Sequence, residues 1–210
     1  MKIVIVIPTL SYRGVERYAH ILARGLVNKG HEAKILVGRI ERNALRIDPK
    51  IKLISPPKLI NALVQNNFVY FITSFPFIFL LLLKFTRGTE VIETEGGFSL
   101  WASVIVGKLR SAKVVWSVHV CKEKPKRKTF REIIFLPFGL LDNFFVKYVD
   151  CVKTITSQNA ECLKNNFGFR DIKILLPPVD FSRLKNPNPA RVIKKHKLKD
   201  KIILLLPATL

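Results

Sequence analysis

The chain has 210 residues, of which 49% are hydrophobic and 10% aromatic, which excludes a disordered polypeptide and suffices for the core of one or two domains. Its 36 Lys and Arg against 15 Asp and Glu give a formal net charge of +21 at pH 7, so anionic partners are expected: nucleotide phosphates, acidic lipid head groups or nucleic acid. Cys121, Cys151 and Cys162 form an odd set without C-x-x-C spacing, which argues against a disulfide framework or a structural zinc site and favours a reducing cytosol.

Lys2-Ile3-Val4-Ile5-Val6-Ile7 is a β-branched run, short for a helix and apolar on both faces, as in a parallel strand covered on both sides; Pro8 is expected to stop it. It is too short for a signal peptide and is followed by Arg13, Glu16 and Arg17 with no small-residue cleavage site. From Val15 to Leu26 apolar residues recur at helical spacing, and Asn28-Lys29-Gly30 ends that helix. Strands are predicted at Ala33 to Val37, Ile51 to Ile54, Thr89 to Thr94, Lys113 to Val118, Cys151 to Ile155 and Ile172 to Leu176. Helices are predicted from Phe98 to Leu109, opened by Gly96-Gly97, and from Ser157 to about Asn166. Strands alternating with helices predict an α/β fold, a doubly wound, mostly parallel, Rossmann-like sheet, with no internal repeat.

In such a sheet ligands bind at the carboxyl ends of the strands. The loop after the first strand holds Arg13, Gly14 and Glu16, where Gly14 lets the backbone approach a ligand as the helix begins. Its plainer reading is a helix-entry turn, with Glu16 favoured by the helix dipole. A full G-x-G-x-x-G pattern is absent. Glu93 and Glu95 share one strand face, as a carboxylate pair for acid–base work or as solvated groups at a strand end. His119 ends the fifth strand and is either a ligand-facing group or a partly buried histidine satisfied by backbone. His119-Val120-Cys121 lacks the further ligands of a metal site, and no metal or cofactor is expected.

Five segments, in order, resemble the N-terminal half of a GT-B glycosyltransferase, in particular the retaining family 4. Arg13-Gly14-Val15-Glu16 is similar to the family's Gly-Gly-x-Glu turn, with arginine for the first glycine, and Gly30-His31-Glu32 to its Gly-His-Glu/Asp. Val91-Ile92-Glu93-Thr94-Glu95 stands where members have Val-Ile-His-x-His, both histidines being glutamate here. Val114 to His119 resembles the strand whose terminal histidine faces the sugar donor, Asp150 to Ser157 the Ala-Asp-x-Val-Ile-x-x-Ser segment, and Leu176 to Phe181 the Ile-Pro-Asn-Gly-Val-Asp segment.

The resemblance implies transfer of a sugar from a nucleotide-diphosphate sugar to a glycan or lipid-linked acceptor, with retention. It implies His119 as the catalytic-site residue at the sugar, and Arg13, Gly14, Glu16, Glu95 and Gly96 as substrate-binding residues. Residues 1–185 would be the N-terminal domain, and 186–210 a basic linker and the first strand (Lys201 to Pro207) of a donor-binding domain. The chain alone would then have little or no transferase activity, and a separate chain could complete it at the strand edge Ile202 to Leu206.

Two apolar stretches bear on the acceptor. Phe68 to Leu83 falls short of the ~20 residues of a membrane span and is interrupted by Pro76. Ile133 to Val149 follows the basic segment Lys122 to Arg131. They either pack on the sheet, or dock on an anionic membrane and make the protein cytoplasmic and peripheral on the inner face of the cell membrane. A non-catalytic binder of nucleic acid or anionic membrane is the alternative class, supported by the charge and by Arg191 to Lys201. Nucleic acid is disfavoured because the aromatics sit in apolar runs and not among the basic residues.

Overall fold

The N-terminal apolar run forms strand β1 (Lys2–Leu10), and the helical spacing after it gives α1 (Gly14–Asn28). There follow β2 (Glu32–Ile40), β3 (Lys52–Ile54), α2 (Lys58–Leu63), α3 (Asn67–Phe85), β4 (Val91–Thr94), α4 (Phe98–Arg110), β5 (Lys113–Val118), α5 (Leu136–Phe145), a 3-10 turn (Val146–Tyr148), β6 (Cys151–Thr154), α6 (Ser157–Phe167) and β7 (Ile172–Ile174). This computed structural model describes residues 1–121, 136–178 and 189–199. The chain divides into residues 1–178 and 179–210. In the second unit the described residues form a basic helix, α7 (Pro189–His196), within the stretch expected as a linker; the basic segment 122–131 and the strand expected at 201–207 lie outside the described residues.

The seven strands among the described residues all pair in parallel, in the order β3-β2-β1-β4-β5-β6-β7. Alternation along β1 sends Val4 and Val6 to one face, where they pack with Ile78, Leu81 and Leu82 of α3 and Ala102 and Val106 of α4. Ile3, Ile5 and Ile7 point to the other face and pack with Ala19 and Ala23 of α1. Both faces are therefore covered, which is why β1 reads as an unbroken apolar run. The order reverses between β1 and β4, and the crevice at their carboxyl ends is the topological switch point of an open α/β sheet.

Three expectations are corrected. Pro8 does not stop β1: the register continues from Ile7↔Val37 to Thr9↔Arg39, and the Pro8 carbonyl accepts a hydrogen bond from the Tyr70 hydroxyl. Gly38 makes room for that arrangement, since a Cβ there would lie 2.7 Å from the Pro8 oxygen and 2.8 Å from Tyr70 Oη. Gly38→Ala is accordingly expected to cost about 1–3 kcal/mol, read as a lower midpoint in urea denaturation at an unchanged slope.

Nor does Pro76 break its helix. α3 runs through it, capped by Asn66, whose side chain accepts from the N–H groups of Phe68 (2.9 Å) and Val69 (3.3 Å). Thr73 Oγ1 and Ser74 Oγ in the preceding turn donate back to the carbonyls of Val69 and Phe71. Among the described residues α3 is the one helix long and apolar enough to cross a membrane by length and composition; here Ile78, Leu81 and Leu82 are buried in the core, while Phe68, Ile72 and Leu80 are exposed.

The reading against disulfides is overturned as well, because Cys121 and Cys162 form a disulfide with their Cα atoms 6.0 Å apart; Cys151 is free. The pair is 41 residues apart in sequence and meets because α6 lies beside the end of β5. Sequence spacing carries no trace of that adjacency.

Candidate functional site

Four loops converge at the switch point. Arg13 is the extended N-cap of α1, its side chain exposed, and Gly14 is the first helical residue. A Cβ on Gly14 would meet nothing within 4 Å, so this helix end opens onto free space. The first N–H groups of a helix have no intrahelical partner and carry its positive dipole end. Glu16, in the same turn, is buried; its Oε1 accepts a 2.7 Å hydrogen bond from Ser11 Oγ, and its Oε2 has no hydrogen-bond partner. Pro8, Thr9, Arg13, Gly14, Val15, Glu16 and Glu95 line one cleft of about 360 Å³.

Glu95 follows β4 and His119 follows β5, with His119 Nε2 at 3.5 Å from Glu95 Oε1. That contact is too long for a strong hydrogen bond, and the two groups are not an ion pair at neutral pH. Burial, with Glu16 and Glu93 adding repulsion, pushes the Glu95 carboxyl up to about 8. Burial, with the Lys153 charge, holds the His119 imidazole below its ordinary value. Both are therefore neutral near pH 7, and among the described residues the buried Nε2 of His119 has no hydrogen-bond partner.

The loop bearing His119 is fixed from α6. Asn159 Nδ2 donates to the His119 carbonyl at 2.9 Å, and its Oδ1 accepts from the Cys121 N–H at 3.2 Å. Asn159 is itself held at the helix start, where its N–H donates to Thr156 Oγ1, the N-cap of α6. Gly96 lies outside the cleft lining, against the Trp116 indole, and a Cβ on it would stand 3.9 Å from Nε1. Gly97, at a φ of 66°, is the residue that needs to be glycine to open α4.

Beneath the cleft runs a buried polar network that the sequence reading did not assemble. Lys153 Nζ pairs with Glu93 Oε1 at 2.7 Å and donates to the Tyr18 hydroxyl; that hydroxyl also donates to Glu93 Oε1 at 3.3 Å. The Tyr18 ring stands edge-on to the His119 ring with centroids 4.7 Å apart. Lys153 sits opposite Ser117 in register and reaches across β5 to Glu93 on β4. Glu93 is only 8% exposed and paired with Lys153, so it is neither a solvated strand-end group nor a carboxylate shared with Glu95. A lysine between Val152 and Thr154 in an otherwise covered strand was the available signal, because a buried lysine requires an anionic partner.

Among solved structures the fold is similar to a glycosyltransferase from Rickettsia africae ESF-5 (18% identity, TM-score 0.62), covering 96% of this chain and 50% of that one. It is also similar to a sucrose-phosphate synthase from Thermosynechococcus elongatus (16% identity, TM-score 0.57, 94% and 53% covered). A third is Anabaena Alr3699/HepE in complex with UDP-glucose (12% identity, TM-score 0.61, 94% and 49% covered). The chain thus spans about half the length of each. No curated protein matches the sequence. The family model Glycosyltransferase Family 4 matches residues 12–183, from the loop before α1 to beyond β7, and the chain belongs to that family.

Proposed function

We propose that the chain is the acceptor-side half of a retaining glycosyltransferase that moves a sugar from a nucleotide-diphosphate sugar to a glycan or lipid-linked acceptor. The observation that carries this reading is the cleft at the switch point, lined by an open helix N-terminus and two carboxyl groups, with the buried His119 Nε2 directly behind it at 3.5 Å from Glu95. A nucleotide-sugar donor is supported by the Anabaena relative, whose structures contain UDP, UDP with glucose, and UDP-glucose.

Each residue has a role that follows from its position. The α1 N-terminus at Gly14, with Arg13 at its cap, faces the diphosphate and stabilises the charge that develops as it departs. His119 holds a hydroxyl of the donor sugar through Nε2, and Glu16 and Glu95 face acceptor hydroxyls. Catalysis here is positioning and charge stabilisation, and the remaining grip on the nucleotide belongs to a second domain.

Purified 210-residue chain supplied with UDP-glucose and mixed glycan acceptors is expected to give little or no product; the same chain joined to a family donor-binding domain is expected to turn over. His119→Ala in the joined protein should lower kcat by about 10²-fold. Robust turnover by the chain alone overturns the division of labour, and an unchanged rate in His119→Ala overturns the role of that residue.

A membrane-borne acceptor is the finer reading of the apolar surface. Phe68 and Ile72 on α3 and Leu140 and Phe144 on α5 are exposed, on a chain of net charge +21. Flotation with vesicles containing anionic lipid is expected to carry the protein upward at low salt and less so at high salt, from the cytoplasmic side in the cell. Absence of binding at low salt would sink this part. A non-catalytic nucleic-acid binder is not favoured for a chain of this family.

A further inference from the structure

We infer that Tyr18, Lys153 and Glu93 are positioning residues for His119, a buried network that holds its imidazole against Glu95 at the back of the cleft. This rests on the proposed role of His119 at the donor sugar. None of the three lines the cleft or touches Glu95; they reach it only through His119, which stands 3.5 Å from that cleft carboxyl.

The geometry gives each a task. Tyr18 packs the edge of its ring against the imidazole, 4.7 Å between centroids at an interplanar angle of 74°, so the ring cannot turn without displacing the phenol. The phenol cannot move because its hydroxyl is tied to both Lys153 and Glu93. Lys153 and Glu93 are held by strands flanking the one that carries His119, with the ion pair at 2.7 Å spanning the sheet beneath it. The backbone of His119 is clamped separately by Asn159, which leaves the side chain to the network.

The titratable groups set against His119 are Glu95 from the β4 end, Tyr18 from α1 and Lys153 from β6. Lys153 acts against imidazolium, together with burial, so the ring stays neutral. A neutral imidazole has one nitrogen that accepts and one that donates, and it is this form that can offer Nε2 to a sugar hydroxyl without competing for the diphosphate. The ion pair therefore cancels the Glu93 charge and, through Lys153, protects the neutral state of the residue above it.

The test reads His119 directly, without turnover, so a failure of the transferase reading cannot be mistaken for a failure of this one. Side-chain ¹⁵N spectra of the 210-residue chain are recorded over pH 4 to 9, roughly bracketing the imidazole range, with His119→Asn identifying its signals among the four histidines. In the parent protein the midpoint of His119 is expected below that of an ordinary imidazole, because burial and the Lys153 charge both disfavour imidazolium. In Lys153→Met, and in the double variant Lys153→Met/Glu93→Gln, which leaves no unpaired buried charge, the midpoint is expected to rise toward the ordinary value. In Tyr18→Phe, which keeps the ring and loses its ties, the His119 resonances are expected to broaden. A folded double variant whose His119 midpoint and line widths match the parent overturns the proposal.

Discussion

Lys153→Met is expected to destabilise the protein by about 3–5 kcal/mol, because it leaves the Glu93 carboxylate buried without its partner. The side chains of the pair are 9% and 10% exposed, so water cannot take the place of the ammonium. Urea denaturation of Lys153→Met against Lys153→Met/Glu93→Gln measures this, and the double variant should recover most of the loss. The pair also sets a pH dependence. Burial acts to lower the Lys153 pKa, but the charge and hydrogen bond of Glu93 and the hydrogen bond of Tyr18 outweigh it and raise it above 10.5. A cation with a raised folded pKa contributes stability that is fully present below its unfolded pKa and is lost as pH rises through the folded one. Tyr18, raised by burial and by Glu93, has the same sign. The parent should therefore lose stability in alkali above about pH 10, and the double variant should lose less.

Glu95→Gln is expected to stabilise the unliganded protein at neutral pH. The Glu95 carboxyl rises from an ordinary 4.5 to about 8, so the folded state binds a proton that the unfolded state has released. The stability this contributes is complete below pH 4.5 and is lost progressively as pH rises toward 8. At pH 7 the loss from this group is about 3 kcal/mol. An uncharged glutamine removes it, so stability measured from pH 5 to 8, roughly that window, should fall in the parent and stay flatter in Glu95→Gln. The same substitution should weaken acceptor use in the joined enzyme, since glutamine keeps the carbonyl acceptor of the neutral acid but can neither give nor take its proton. Stability gained together with function lost would mark Glu95 as a group kept buried and titratable at a cost to stability.

Much of the fold was legible because it is written in local pattern. The run Ile3 to Ile7 could only be a strand covered on both faces, and Lys113 to Val118 was bounded correctly by its own turn signals. The helix from Phe98 was announced by Gly96-Gly97, whose second member has the positive φ that opens it. Local rules failed where a neighbour overrode them. Pro8 remains in β1 because Gly38 and Tyr70 on other elements accommodate it, and Pro76 remains in α3 because the helix packs on the sheet through Ile78, Leu81 and Leu82.

The site divides in the same way. Arg13, Gly14 and Glu16 were found from their place after the first strand, and Glu95 and His119 from the ends of the fourth and fifth, because in a parallel sheet a strand's carboxyl end and a ligand crevice coincide. The sequence by itself therefore determined the parallel α/β sheet, the family and the loops that line the cleft at the strand ends, all of which depend on residues close together in the chain. Only the tertiary structure decided that Cys121 meets Cys162, that Glu93 is cancelled by Lys153 while Glu95 is left without a cation, and that Tyr18 stands against His119. Those outcomes depend on strand order, which places β4, β5 and β6 side by side, within reach of Tyr18 from the start of α1. Burial then turns each adjacency into a shifted charge state, and neither quantity is carried by any short stretch of sequence.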